Sequence, residues 1–170
     1  MNTRRVAFLG MLVALALGMH LLEAQIPTPL PWVRPGFANL MTLVALLTLG
    51  VRAGLLVTLL RVVIGALLLG GFLSPVFALS LAGGLASTLV MALLARGVWR
   101  LWSPLAVSAA GAVAHGGAQV LVLTGVLLRS GDLAWLMPWV LVPALVSGIV
   151  TGLLANLVLL RWQGYFRAVT

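Results

Sequence analysis

Apolar residues run along this chain in long blocks, each closed by arginine, proline or glycine, and the pattern predicts about six membrane helices. A helix needs about 20 mostly apolar residues to cross a hydrocarbon core of about 30 Å. The first block, Val6 to Leu22, follows the pair Arg4 and Arg5 and is expected as helix 1. Behind it, Pro27, Pro29, Pro31 and Pro35 crowd one segment, and their missing N–H groups forbid a continuing helix. Phe37 to Leu49 is expected as a second helix, short for a full span, which either enters the membrane part-way or starts from a loop that dips inward. The third runs from Ala53 to Leu69 and carries Arg61 near its middle. After the break Gly70 to Pro75, a fourth is expected over Val76 to Ala95, ended by Arg96 and Arg100. Pro104 to Leu128 gives the fifth, with His115 and Gln119 inside it. The sixth, Trp135 to Leu160, is expected to bend at Pro138 and Pro143 before Arg161 and Arg167 close it. Residues 1–170 thus read as one all-α integral membrane domain, a polytopic helix bundle.

Composition agrees. The 170 residues are 63% hydrophobic and 7% charged, with a mean hydropathy of +1.24, against about 25% charged in a water-soluble domain. Cysteine is absent, which excludes disulfides, thiolate nucleophiles and cysteine metal sites. All ten basic residues are arginine, and the acids are Glu23 and Asp132. A net charge of +8 raises the question of nucleic acid, but the arginines form no basic run. They stand at the ends of apolar blocks, where positive residues hold a loop on the cytoplasmic side. With the N terminus inside, Arg4, Arg5, Arg52, Arg96, Arg100, Arg161 and Arg167 are cytoplasmic; Arg34 and Arg129 are outside, and Arg61 is embedded. Both termini are therefore expected in the cytoplasm, in a bacterial inner membrane. The first block also has secretory-signal features, but no small-x-small site follows Gly18, so helix 1 is expected to be retained.

Polar residues inside such blocks are the candidate chemistry. Arginine at mid-membrane is costly, so Arg61 is expected to face the interior. There it can hold a carboxylate, phosphate or diphosphate, pair permanently with Glu23, or cap broken-helix carbonyls. Glu23 reads as a ligand group, a proton-coupling carboxylate, the counter-ion of Arg61, or an interfacial carboxylate in water. The last is the favoured expectation, because helix ends reach headgroup depth. His115 and Gln119 share a helix face and can hydrogen-bond a planar heterocycle, each other, or a neighbouring helix. Asn39 and Thr42 open helix 2, whose N–H groups attract an anion if the helix starts within the membrane; Asn39 can equally cap it. His20 is the remaining imidazole, and with no acid spaced to join it a metal site is not expected. No nucleotide-binding motif is present, and no cofactor is expected. The small residues Gly10, Ala14 and Gly18 flatten one face of helix 1, either for internal packing or for docking a partner. The tryptophans sit near predicted helix ends as interfacial anchors, with Trp32 in the proline segment a possible ligand cover.

Four patterns occur in order: Pro35-Gly-Phe-Ala-Asn39-Leu-Met-Thr42-Leu, Leu60-Arg61-Val-Val-Ile-Gly65, Ser80-Leu-Ala-Gly83-Gly84-Leu, and Gly111-Ala-Val-Ala-His115-Gly-Gly-Ala-Gln119. Together they resemble the bacterial Gx transporter family, also labelled heptaprenyl diphosphate synthase component I. That family is similar to the substrate-binding S components of energy-coupling-factor vitamin transporters. The resemblance implies a small-molecule ligand and a membrane coupling subunit driven by separate ATPases, docked on the Gly10, Ala14 and Gly18 face. The synthase label implies instead an accessory subunit of an isoprenoid or quinone pathway; a subunit of a membrane electron-transfer complex is a related alternative. Catalysis by this chain is not expected. Prenyl diphosphate synthases hold magnesium through clustered carboxylates, and Glu23 and Asp132 are far apart in the chain.

Overall fold

A computed structural model of the protein describes residues 3–28, 36–96, 103–128, 135, 137–161 and 164. The described residues form six α-helices: α1 (Thr3–Glu23), α2 (Ala38–Leu49), α3 (Val51–Leu68), α4 (Pro75–Arg96), α5 (Pro104–Val122) and α6 (Met137–Arg161). At its end α5 widens into a π-helical turn, Leu123–Leu127, closed by Leu128 N–H donating to Leu123 O at 2.9 Å. The expectations for Trp32, Arg34, Arg100, Arg129, Asp132 and Arg167, and for most of the proline segment, lie outside the described residues.

Local sequence sets the helix ends. Ser74 and Ser103 each precede a proline and cap the helix that follows. Ser74 Oγ accepts from Phe77 N–H at 3.2 Å, and Ser103 Oγ from Ala106 N–H at 3.3 Å. Proline fits the first helical position because its missing N–H would have no partner there. Between α2 and α3 stands a single residue, Gly50, with φ +94°, a conformation costly for any side chain. The two helices therefore form a tight hairpin. Pro143 lies inside α6 and removes one N–H from its ladder.

Five of the six helices are long and apolar enough to cross a membrane. The exception is α2, whose 12 residues reach only about 18 Å. It is also the most enclosed, with Ala38 and the whole run Leu40 to Leu46 buried. So α2 is a half-length helix at the centre of the bundle, walled by α1, α3 and α6. The long helices bury one stripe and show lipid the rest. On α6, Val142, Val146, Leu153 and Leu157 are exposed, and Trp139 is 71% exposed near its start. The chain is a multi-pass membrane protein, and its helices alternate in direction. One end of the bundle holds Gly50 and the exposed Arg4, Arg5, Arg52, Arg96 and Arg161; the opposite end holds Glu23, Leu68 and Pro75. Every described arginine except Arg61 is at the Gly50 end.

Candidate functional site

The α2–α3 hairpin positions the central polar pair. Asn39 and Arg61 are equidistant in sequence from Gly50, as are Thr42 and Thr58, and Leu46 and Gly54. Each of these pairs meets across the seam. Arg61 Nη2 donates to Asn39 Oδ1 at 2.6 Å, and the hydroxyls of Thr42 and Thr58 are 3.3 Å apart. Gly54 leaves room for Leu46, whose Cβ would be 3.1 Å from an added Cβ. Asn39 is therefore no helix cap. Phe37 occupies the cap position without a side-chain hydrogen bond, and Asn39 turns its amide to the arginine. Thr58 also reaches α4, with its hydroxyl 2.8 Å from that of Thr88, which donates on to Gly84 O.

Glu23 overturns the favoured expectation. It is 4% exposed rather than interfacial, and its Oε1 accepts from Ala38 N–H at 3.2 Å. The last residue of α1 thus supplies a carboxylate to the first turn of α2, where N–H groups point outward without intrahelical partners. This placement follows from the core stripe of α1. Leu9, Leu12, Ala16, His20 and Glu23 are all buried, at helical spacing on one face. The stripe begins apolar and ends in an imidazole and a carboxylate. Gly10, Ala14 and Gly18 lie on the other face, exposed, and an added Cβ at Gly10 or Gly18 would meet nothing within 4 Å. Gly10 and Gly18 thus mediate no close helix approach among the described residues.

Glycines make room for the two imidazoles. An added Cβ at Gly65 of α3 would stand 2.5 Å from His20 Cδ2, and one at Gly83 of α4 would stand 2.9 Å from His115 Nε2. The Nδ1 of His115 is buried and meets no hydrogen-bond partner among the described residues. Gln119, one turn further along α5, is 3% exposed.

These side chains share one cavity. His20, Glu23, Gly36, Asn39, Arg61, Ser80, His115 and Gln119 line a space of about 30 Å³, roughly one water's share of liquid volume. All five ligand candidates from the sequence, Arg61, His115, Gln119, Asn39 and Glu23, stand in its wall. Their depth follows from helix rise. Arg61 is about 10 Å below the last residue of α3 and Ser80 about 8 Å below the first of α4. Two further cavities adjoin. One of about 30 Å³ shares Gly36, Asn39 and His115 and reaches Ser108, Ser147 and Thr151 between α5 and α6. The other, about 220 Å³, shares His20 and Ser80 and runs between α3 and α4 toward the Glu23 end.

His20 and Ser80 did not stand out in the sequence as ligand candidates. The signal for His20 is its register with Glu23 at the end of a core stripe; Ser80 carries none beyond being polar in an apolar helix. Chemically the arrangement gathers one guanidinium, one carboxylate, two imidazoles and two amides from four helices, all able to hydrogen-bond a polar partner.

Residues 12–158 match the model of a protein family described as heptaprenyl diphosphate synthase component I. The chain belongs to that family. The match covers every residue that lines the cavity, and the description names one component of a synthase, in keeping with a membrane accessory or transport-like protein. No curated protein and no solved structure matches the chain.

Proposed function

We propose that this member of the component I family is a non-catalytic, membrane-embedded binding subunit for a small ligand, working as an S component does in an energy-coupling-factor transporter. The observation that carries the reading is the cavity in which Arg61, Glu23, Asn39, His20, His115 and Gln119 converge. A bundle needing only to be stable gains little from so many enclosed polar groups, since each costs free energy unless it is hydrogen-bonded. The unsatisfied Nδ1 of His115 supports the same reading, because a buried polar atom of this kind calls for a partner. The ligand is small and carries an anionic or planar polar group: a vitamin, a flavin-like compound or an isoprenoid phosphate. The arginines at the Gly50 end support a reading in which both termini are cytoplasmic in a bacterial inner membrane and the ligand site opens to the outer side. The exposed face of Gly10, Ala14 and Gly18 is flat enough to seat a coupling subunit with separate ATPases.

The deciding experiment is mass spectrometry of small molecules retained after extraction into mild detergent. A defined molecule present with the native chain and lost in Arg61→Ala and His115→Ala supports the proposal. Identical small-molecule content in native and substituted protein, with the substituted protein still folded, overturns it. The family description favours a second reading, an accessory subunit of a prenyl diphosphate synthase in an isoprenoid or quinone pathway. Stable co-isolation with a soluble synthase subunit, with no retained ligand, would select that reading.

A further inference from the structure

We infer that the ligand is an amphiphile: an acceptor-bearing anionic head held at Arg61 and a hydrocarbon body lodged between α3 and α4. This rests on the binding role proposed above and names the chemistry of its ligand. The polar cavity and the 220 Å³ cavity are both lined by His20 and Ser80, so these two side chains stand between the spaces, and a head larger than a water reaches Arg61 from the larger one only when they move aside. Beyond that junction the larger cavity is walled by Val62, Ala66, Leu69, Val76 and Phe77. The further polar side chain there, Ser74, already accepts the cap hydrogen bond from Phe77 N–H. Between the His20–Ser80 junction and Ser74 at the α3–α4 turn, the side chains lining the larger space are thus apolar. Arg61 and Val62, adjacent on α3, wall the polar and the apolar part respectively. A wholly polar ligand would leave the hydrocarbon wall unused, and a wholly apolar one would make no use of the polar wall. Beside Ser74 and Phe77, the α3–α4 turn holds Leu73 at φ +62°, and the Phe72 ring is tilted against that of Phe77 with centroids 5.1 Å apart. The volume of the larger space equals that of about seven waters, so a body near eight carbons suits it.

The full chain in lipid nanodiscs is titrated with octyl phosphate, inorganic phosphate and octanol, and the signal of Arg61→Gln discs is subtracted to remove partitioning into lipid. Octyl phosphate is expected to bind at least about tenfold more tightly than either half alone, since each buried methylene contributes to affinity. Ala66→Phe, which fills the apolar space, should bring octyl phosphate down to the level of phosphate and leave phosphate binding unchanged. If Ala66→Phe does not fold, Val76→Phe on the facing helix makes the same test. Equal affinity for octyl phosphate and phosphate, or indifference to the filling substitutions, overturns the amphiphile and leaves the polar cavity as the binding site. Absence of Arg61-dependent octyl phosphate binding also overturns it; the retained-molecule experiment then reports separately on the binding role itself.

Discussion

Glycine does different work in two regions of this bundle. Along the α5–α6 seam, Gly148 and Gly152 bring two backbones together. A Cβ at Gly152 would meet Leu105 Cα at 2.5 Å, and one at Gly148 would meet Ala109 Cα at 2.9 Å. The seam is sealed by a hydrogen bond of 2.9 Å between Ser108 and Thr151. Around the polar cavity, Gly65 and Gly83 instead open niches for side chains, the rings of His20 and His115. A neighbouring backbone cannot yield without moving a helix, whereas an imidazole can rotate. One region fixes the spacing of helices; the other holds side chains that are able to move.

Matched substitutions test this contrast, and the largest effect is expected from Gly152→Ala. Overpacking against backbone should lower stability by about 2–3 kcal/mol, read as a drop in the thermal midpoint of purified protein in detergent. Gly65→Ala should displace His20 for about 1 kcal/mol or less, within the range of an off-rotamer side chain, while lowering retention of the bound small molecule. If it destabilises as much as Gly152→Ala, the distinction between seam and niche collapses. Thr58→Val breaks the hydroxyl chain from Thr42 to Thr88 and should cost about 1 kcal/mol, typical of interhelical hydrogen bonds in membranes. Glu23→Gln keeps an oxygen for Ala38 N–H but removes the charge from the start of α2. Its expected cost is the smallest, a few tenths to about 1 kcal/mol, and a much larger loss would mean that the carboxylate supports more of the cluster than the α2 terminus.

The fold was largely legible in the sequence because membrane helices announce themselves by length and hydropathy. The expected helices Val6 to Leu22 and Phe37 to Leu49 differ from α1 and α2 only at their ends. The fifth helix, expected over Pro104 to Leu128, is α-helical only to Val122 and continues as a π turn to Leu127, which no residue type there forces. Within the candidate site, Arg61, Asn39, His115 and Gln119 were visible because a polar side chain in an apolar block is conspicuous. Glu23 misled because it ends its block, where a carboxylate ordinarily reaches water; only the buried start of α2 reverses that. The mirror spacing of Asn39 and Arg61 about Gly50 was there to be read. Using it required knowing that one residue joins the two helices, which the proline break before α2 and the glycine after it imply but do not fix.

The one-residue link at Gly50 also bears on how the protein is made. A segment of 12 residues is too short to be taken into a bilayer as an independent span, so α2 must enter with α3 as a single body. Synthesis runs from α2 to α3, and the amide of Asn39 has therefore already been translated when Arg61 emerges. The most expensive side chain in the protein reaches hydrocarbon with its hydrogen-bond acceptor tethered across a turn of one residue.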